Sequence, residues 1–163
     1  MIMSKPNLND ALENVEMIYS DISDIASDMT TNLFTPINNL VSSIREDINN
    51  LSVGEIREYL LRLQLRAYEL SEIKDKSGIK AECAEALRKE KFARSFNEAS
   101  GSAAVKDNIA LIESSEEVVV EALYNLVANL VKTKCDQLHR LIDTLKSILV
   151  SRMQEAKMTS MIE

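Results

Sequence analysis

The chain has 163 residues and a formal net charge of −7, with 45% apolar residues, only 4% aromatic residues and no tryptophan. An acidic total speaks against a conventional double-strand DNA binder, whose footprint is basic, although it leaves room for a local basic groove. Three glycines and two prolines leave few places for tight turns. That scarcity predicts a single all-α domain of few, long helices over residues 1–163.

Charge is unevenly spread. Residues 1–51 carry eight acids and two bases, giving −6, whereas residues 52–106 carry nine acids and eleven bases, giving +2. We therefore separate an acidic N-terminal part, residues 1–51, from a long helical hairpin, residues 52–163, that reverses near residues 99–113.

A first helix is predicted from about Asn7 to Met29. Leu12, Val15, Ile18, Tyr19, Ile22, Ile25, Ala26 and Met29 form a narrow inward seam close to a heptad. Its outer face carries Asp10, Glu13, Asp21, Asp24 and Asp28, which fits a solvated face, a partner-binding surface or a Mg²⁺ site. Residues 30–35 break the pattern, and Thr35-Pro36 reads as an N-cap followed by a first-turn proline. A second short helix then places Ile37, Leu40, Val41, Ile44 and Ile48 inward and ends at Asn49-Asn50.

Ser52-Val53-Gly54-Glu55 has the spacing of a capping box. It opens a third helix with Ile56, Tyr59, Leu60, Leu63, Ala67, Leu70 and Ile73 inward. One glycine costs about 1 kcal/mol relative to alanine, so Gly78 need not end that helix before Glu98. Beyond it the inner face becomes small, with Ala81, Ala84 and Ala86, and Cys83 fits the same packing. Ala99-Ser100-Gly101-Ser102 is the clearest loop; residues 103–113 lean helical. A second Ser-x-x-Glu spacing at Ser114–Glu117 is expected to open the last helix, which runs to Lys157. Its apolar face repeats at Leu123, Val127, Leu130, Leu138, Leu141, Leu145, Ile148 and Met153. Two helices of about 40 residues extend some 60 Å at about 1.5 Å per residue. One such hairpin with two short helices leaves apolar surface over, so a homo-oligomer is expected.

Cys83 and Cys135 lack Cys-x-x-Cys spacing and are expected to be reduced and buried. The N-terminal residues lack the apolar core of a signal peptide, and no apolar run reaches membrane-spanning length, so a cytoplasmic protein without a membrane partner is expected.

Catalytic constellations are sparse. His139 stands alone in a Leu-rich helix, and no Gly-rich phosphate loop is present. The best enzymatic candidate pairs Glu13 with Glu16 and Asp21 with Asp24, because acids three apart share a helix face and can hold Mg²⁺. Both pairs fall on one predicted helix. We therefore expect no enzyme, metal or cofactor.

The segment Arg88-Lys89-Glu90-Lys91-Phe92-Ala93-Arg94-Ser95-Phe96 holds four bases and two aromatics one turn apart, with Lys80 and Lys106 on either side. Bases that follow phosphates beside rings that stack on bases are what single-strand binding requires. Glu85–Lys89 and Glu90–Arg94 are equally ordinary helical ion pairs, and Phe92 and Phe96 equally suit a core.

From about Tyr68 to Lys157 the order of features resembles the UvsY-like phage recombination mediators and related accessory proteins of phage recombination modules. The basic segment Arg88–Arg94 before Ser100-Gly101, and Asp143-Thr144-Leu145-Lys146-Ser147-Ile148 with Arg152, carry the resemblance. It implies a non-enzymatic oligomer that binds single-stranded DNA and assists a recombinase on strands covered by single-strand-binding protein. Arg88, Lys89, Lys91 and Arg94 would then contact phosphates, and Leu138, Leu141, Leu145 and Ile148 would assemble the oligomer. The alternative is a helical protein-interaction module without a nucleic-acid role, such as a phage assembly chaperone, an adaptor or an inhibitor of a host protein.

Overall fold

Ser52 and Glu55 form the reciprocal cap that their spacing predicts. The Ser52 amide donates to Glu55 Oε2 at 2.7 Å, and the Glu55 amide donates to Ser52 Oγ at 3.3 Å. The hydrogen bond to Ser52 holds the Glu55 carboxyl below its ordinary pKa. This cap opens one of four helices in the computed structural model, which describes the backbone of residues 8–159 and the side chains of residues 13–158. They are α1 (Leu8–Asp47), α2 (Val53–Glu98), α3 (Ala103–Glu113) and α4 (Ser115–Thr159). No strand occurs among the described residues. The expected helix start at Asn7 and the side chains of Asp10 and Leu12 lie outside them.

Two predicted N-terminal helices are in fact one. α1 passes through Pro36 without a break. Thr35 does not cap forward; its Oγ1 donates back to the Thr31 carbonyl at 2.8 Å, and Thr30 Oγ1 donates to the Ala26 carbonyl at 2.9 Å. A proline inside a helix costs about 3 kcal/mol relative to alanine. Here burial of Ile37, Leu40 and Ile44 immediately downstream offsets that cost, since full burial of each such side chain contributes about 1.5–3 kcal/mol.

α2 runs unbroken through Gly78, where a β-carbon would meet nothing within 4 Å. The reversal falls at residues 99–102, and Gly101 has φ 122°, a conformation open to glycine and strained for other residues. The second expected capping box does not form. Ser114 is buried, and its hydroxyl donates back to the Ala110 carbonyl at 2.8 Å. α3 already supplies carbonyls to the entry of α4, as the Ser114 amide bonds to Ala110, so no forward cap is needed.

The chain divides into two compact units, with the cuts inside α1, α2 and α4. Unit 2 comprises residues 31–77 and 129–163. Its core is large-sided: Ile37, Leu40 and Ile44 from α1; Ile56, Leu60, Leu63 and Leu70 from α2; Val131, Leu138, Ile142 and Leu145 from α4. Within it, Lys134 Nζ donates to Asn38 Oδ1 at 2.9 Å and Arg152 Nη2 donates to the Asn49 carbonyl at 2.6 Å. Both numbers rise together, so these stretches of α1 and α4 run in the same direction.

Unit 1 comprises residues 1–30 and 78–128. Its buried apolar side chains, among the described residues, are Ala26, Ala81, Ala84, Ala110 and Val127. The expected inward seam of α1 is mostly on the surface: Val15 is 62% exposed, Ile18 46%, Ile25 49% and Met29 45%. Ala86 and Cys83, expected inside, are also exposed, while Cys135 is buried. Within unit 1 the described side chains that are buried are small, and much of each helix's apolar face stays exposed.

Candidate interaction surfaces

The basic segment lies in unit 1 on the last turns of α2, and most of its charge is locally answered. Lys89 pairs with Glu85 at 2.5 Å and Arg94 with Glu90 at 2.6 Å, each one turn away. Lys89 correspondingly holds the Glu85 carboxyl below its ordinary pKa. Arg88 pairs with Glu121 across to α4. This pair is more sheltered than the other two, so Arg88 is bound into the fold of unit 1.

Lys80 and Lys91 make no ion pair among the described residues, and Lys80 is exposed. Lys91 lines a cleft of about 210 Å³ with Leu87, Glu90, Arg94 and Glu117. Glu117 keeps Oε2 buried with no hydrogen-bond partner. Phe92 and Phe96 are half-buried, with ring centroids 6.4 Å apart and planes inclined by 20°. Lys106 Nζ stands 5.9 Å from the centre of the Phe96 ring. The structure thus brings Phe92, Phe96 and Lys106 together, while Arg88, Lys89 and Arg94 are drawn toward carboxylates.

The residues expected to assemble subunits have a different placement. Leu138 and Leu145 are sealed inside unit 2 of a single chain, and Leu141 and Ile148 are half-buried. Packing within one chain accounts for that register. The apolar side chains left outside are concentrated instead in unit 1: the α1 seam, Ile79 and Leu87 on α2, Leu111 and Ile112 on α3, and Val118 to Val120 on α4.

The carboxylates of Glu13, Glu16, Asp21 and Asp24 are all exposed on α1. Among the described residues no three His, Cys, Asp or Glu side chains gather as a metal-binding group. His139 is exposed, with Nδ1 3.7 Å from Cys135 Sγ. Burial pushes the Cys135 thiol pKa up, away from thiolate reactivity. No helix among the described residues is long and apolar enough to cross a membrane.

One surface escaped the sequence reading. In unit 2, α1 and α4 border a groove of about 520 Å³ lined by Ile37, Asn38, Val41, Ser42 and Arg45, and by Lys134, Gln137, Leu138, Arg140 and Leu141. Three lining residues are cationic and none is acidic. Arg45 and Arg140 form no ion pair among the described residues, and Lys134 bonds neutral Asn38 while standing 5.3 Å from the centre of the Phe34 ring. No local motif joins these cations, because they come from separate helices.

The chain matches no protein-family model, no curated protein and no solved structure.

Proposed function

We propose that this protein is a non-enzymatic helical interaction module that works as a self-assembled particle, with α2 and α4 as the arms of a helical hairpin and coiled-coil-like seams joining the subunits. One observation carries the reading. Among the described residues, the apolar side chains that unit 1 buries are four alanines and one valine, while Val15, Ile18, Ile25 and Met29 stand on its surface. Val15, Ile18, Ile22, Ile25 and Met29 alternate spacings of three and four, which is the register of a coiled-coil seam. Surface of this kind normally marks a protein contact.

Light scattering across a concentration series tests it. The wild-type chain is expected at two or more times the 18.3 kDa of one chain. Ile18→Asp combined with Ile25→Asp is expected to return it to single-chain mass with its helix content intact, because neither side chain belongs to the core of one chain. A variant that keeps the wild-type mass would remove the seam from the assembly.

A second reading, an accessory factor that binds single-stranded DNA and assists a recombinase, is favoured by the stacked Phe92 and Phe96 with Lys106 over the ring. Lys80 and Lys91 would add phosphate contacts without first giving up a carboxylate. Titration of a labelled oligonucleotide against salt is expected to give a log–log slope near −2 for three phosphate contacts, at about −0.7 each. Charge reversal at Lys80, Lys91 and Lys106 is expected to abolish it. Absence of binding at low salt would end this reading and leave the first untouched.

A further inference from the structure

We infer that the α1 seam of one copy docks into the cationic groove between α1 and α4 of a second copy. The inference rests on the self-assembly reading and identifies what covers the seam. At about 100° per residue, three kinds of side chain succeed one another around α1. Ala26 and Thr30 face the chain's own core, Val15, Ile18, Ile22, Ile25 and Met29 come next, and Asp21, Asp24 and Asp28 follow on the outer edge. A partner laid on the seam therefore meets carboxylates along the side away from the first chain's core.

Charge decides which partner that is. Pairing the seam with a second α1 seam adds the three aspartates of each copy to one interface, and like charges there oppose association. The groove offers the complement. Arg45, Lys134 and Arg140 rim it without a carboxylate among its lining residues, and Val41 and Leu141, both half-buried, leave apolar surface between them. A helix that seats Ile18, Ile22 and Ile25 on that surface can set Asp21 and Asp28 against the rim. This is the helix-in-groove mode of recognition, in which apolar anchors one turn apart give affinity and rim charges give register. The two patches differ, so the interface is head-to-tail and copies add until a ring closes or a chain extends.

Two charge-reversed proteins test this, Arg45→Glu with Arg140→Glu and Asp21→Lys with Asp28→Lys. All four side chains are exposed, so each change leaves the core untouched. Each variant alone is expected to assemble at least about tenfold more weakly than wild type, since like charges then meet at the rim. Mixed in equal amounts, the two are expected to recover the wild-type mass, because each groove then meets a seam of opposite sign. A variant that alone keeps wild-type assembly, or a mixture that stays at single-chain mass, overturns the docking while wild-type self-assembly stands. A wild-type protein at single-chain mass overturns both.

Discussion

Leu145→Ala is expected to lower the unfolding free energy by about 2–5 kcal/mol, the range found when a fully buried leucine is truncated and its cavity only partly closes. Leu145 is 0% exposed in a single chain, with Leu138 and Ile142 buried beside it on α4. Urea unfolding followed by circular dichroism measures the loss. Leu141→Ala, at a half-buried position one turn earlier, is expected to cost less. The pair distinguishes two roles for this register. If Leu145 builds the core of each chain, the alanine variant loses stability while its folded form keeps the wild-type mass in light scattering. If Leu145 instead held subunits together, mass would fall at little cost to the fold. A loss below about 1 kcal/mol would contradict the core assignment.

Pro36→Ala is expected to stabilise the protein, by about 1–3 kcal/mol. Alanine is favoured over proline by about 3 kcal/mol in a helix interior and restores an amide donor to the ladder, facing the Asn32 carbonyl. Pro36 and Asn32 are exposed, so the change buries nothing and opens no cavity. The lower bound allows for helix geometry already adjusted around the proline and for the unfolded chain, which proline stiffens. Urea denaturation again measures it. Destabilisation would mean that Ile37 and Leu40 depend on a proline-shaped bend for their packing.

Pro36 also shows where local sequence ceases to decide. A threonine before a proline has the chemistry of a helix start, and the same hydroxyl can turn back to a carbonyl one turn earlier, as Thr35 does. Burial of Leu40 and Ile44 against other helices settles the choice, and that information is not local. Ser114 repeats the lesson: its spacing to Glu117 matches that of Ser52 to Glu55, yet only Ser52 caps, because a helix already precedes Ser114. Features governed by the chain next to them were legible. The Ser52–Glu55 box, the continuity of α2 through Gly78, the turn at Gly101 and the length of α4 all follow from local chemistry. The α1 seam was legible as an apolar face, but periodicity does not say whether a face is covered by its own chain. Arg45, Lys134 and Arg140 were invisible as a group because they meet only when α1 and α4 lie side by side in unit 2.

The ion pairs explain why a basic segment read from sequence overstates available charge. Glu85, Glu90 and Glu121 sit within reach of three of the four bases between Arg88 and Arg94. The exposed pairs of Lys89 with Glu85 and Arg94 with Glu90 contribute little stability, since solvent screens them, but at all three bases a phosphate must compete with the carboxylate already there. The groove in unit 2 carries no such competition among its lining residues.

Self-assembly is the claim on which the rest depends, and the mass of the wild-type protein in solution tests it most directly. Multi-angle light scattering over a hundredfold concentration range is expected to give two or more copies of the 18.3 kDa chain, with mass rising toward a plateau as concentration increases. A mass of one chain across the whole range would contradict it.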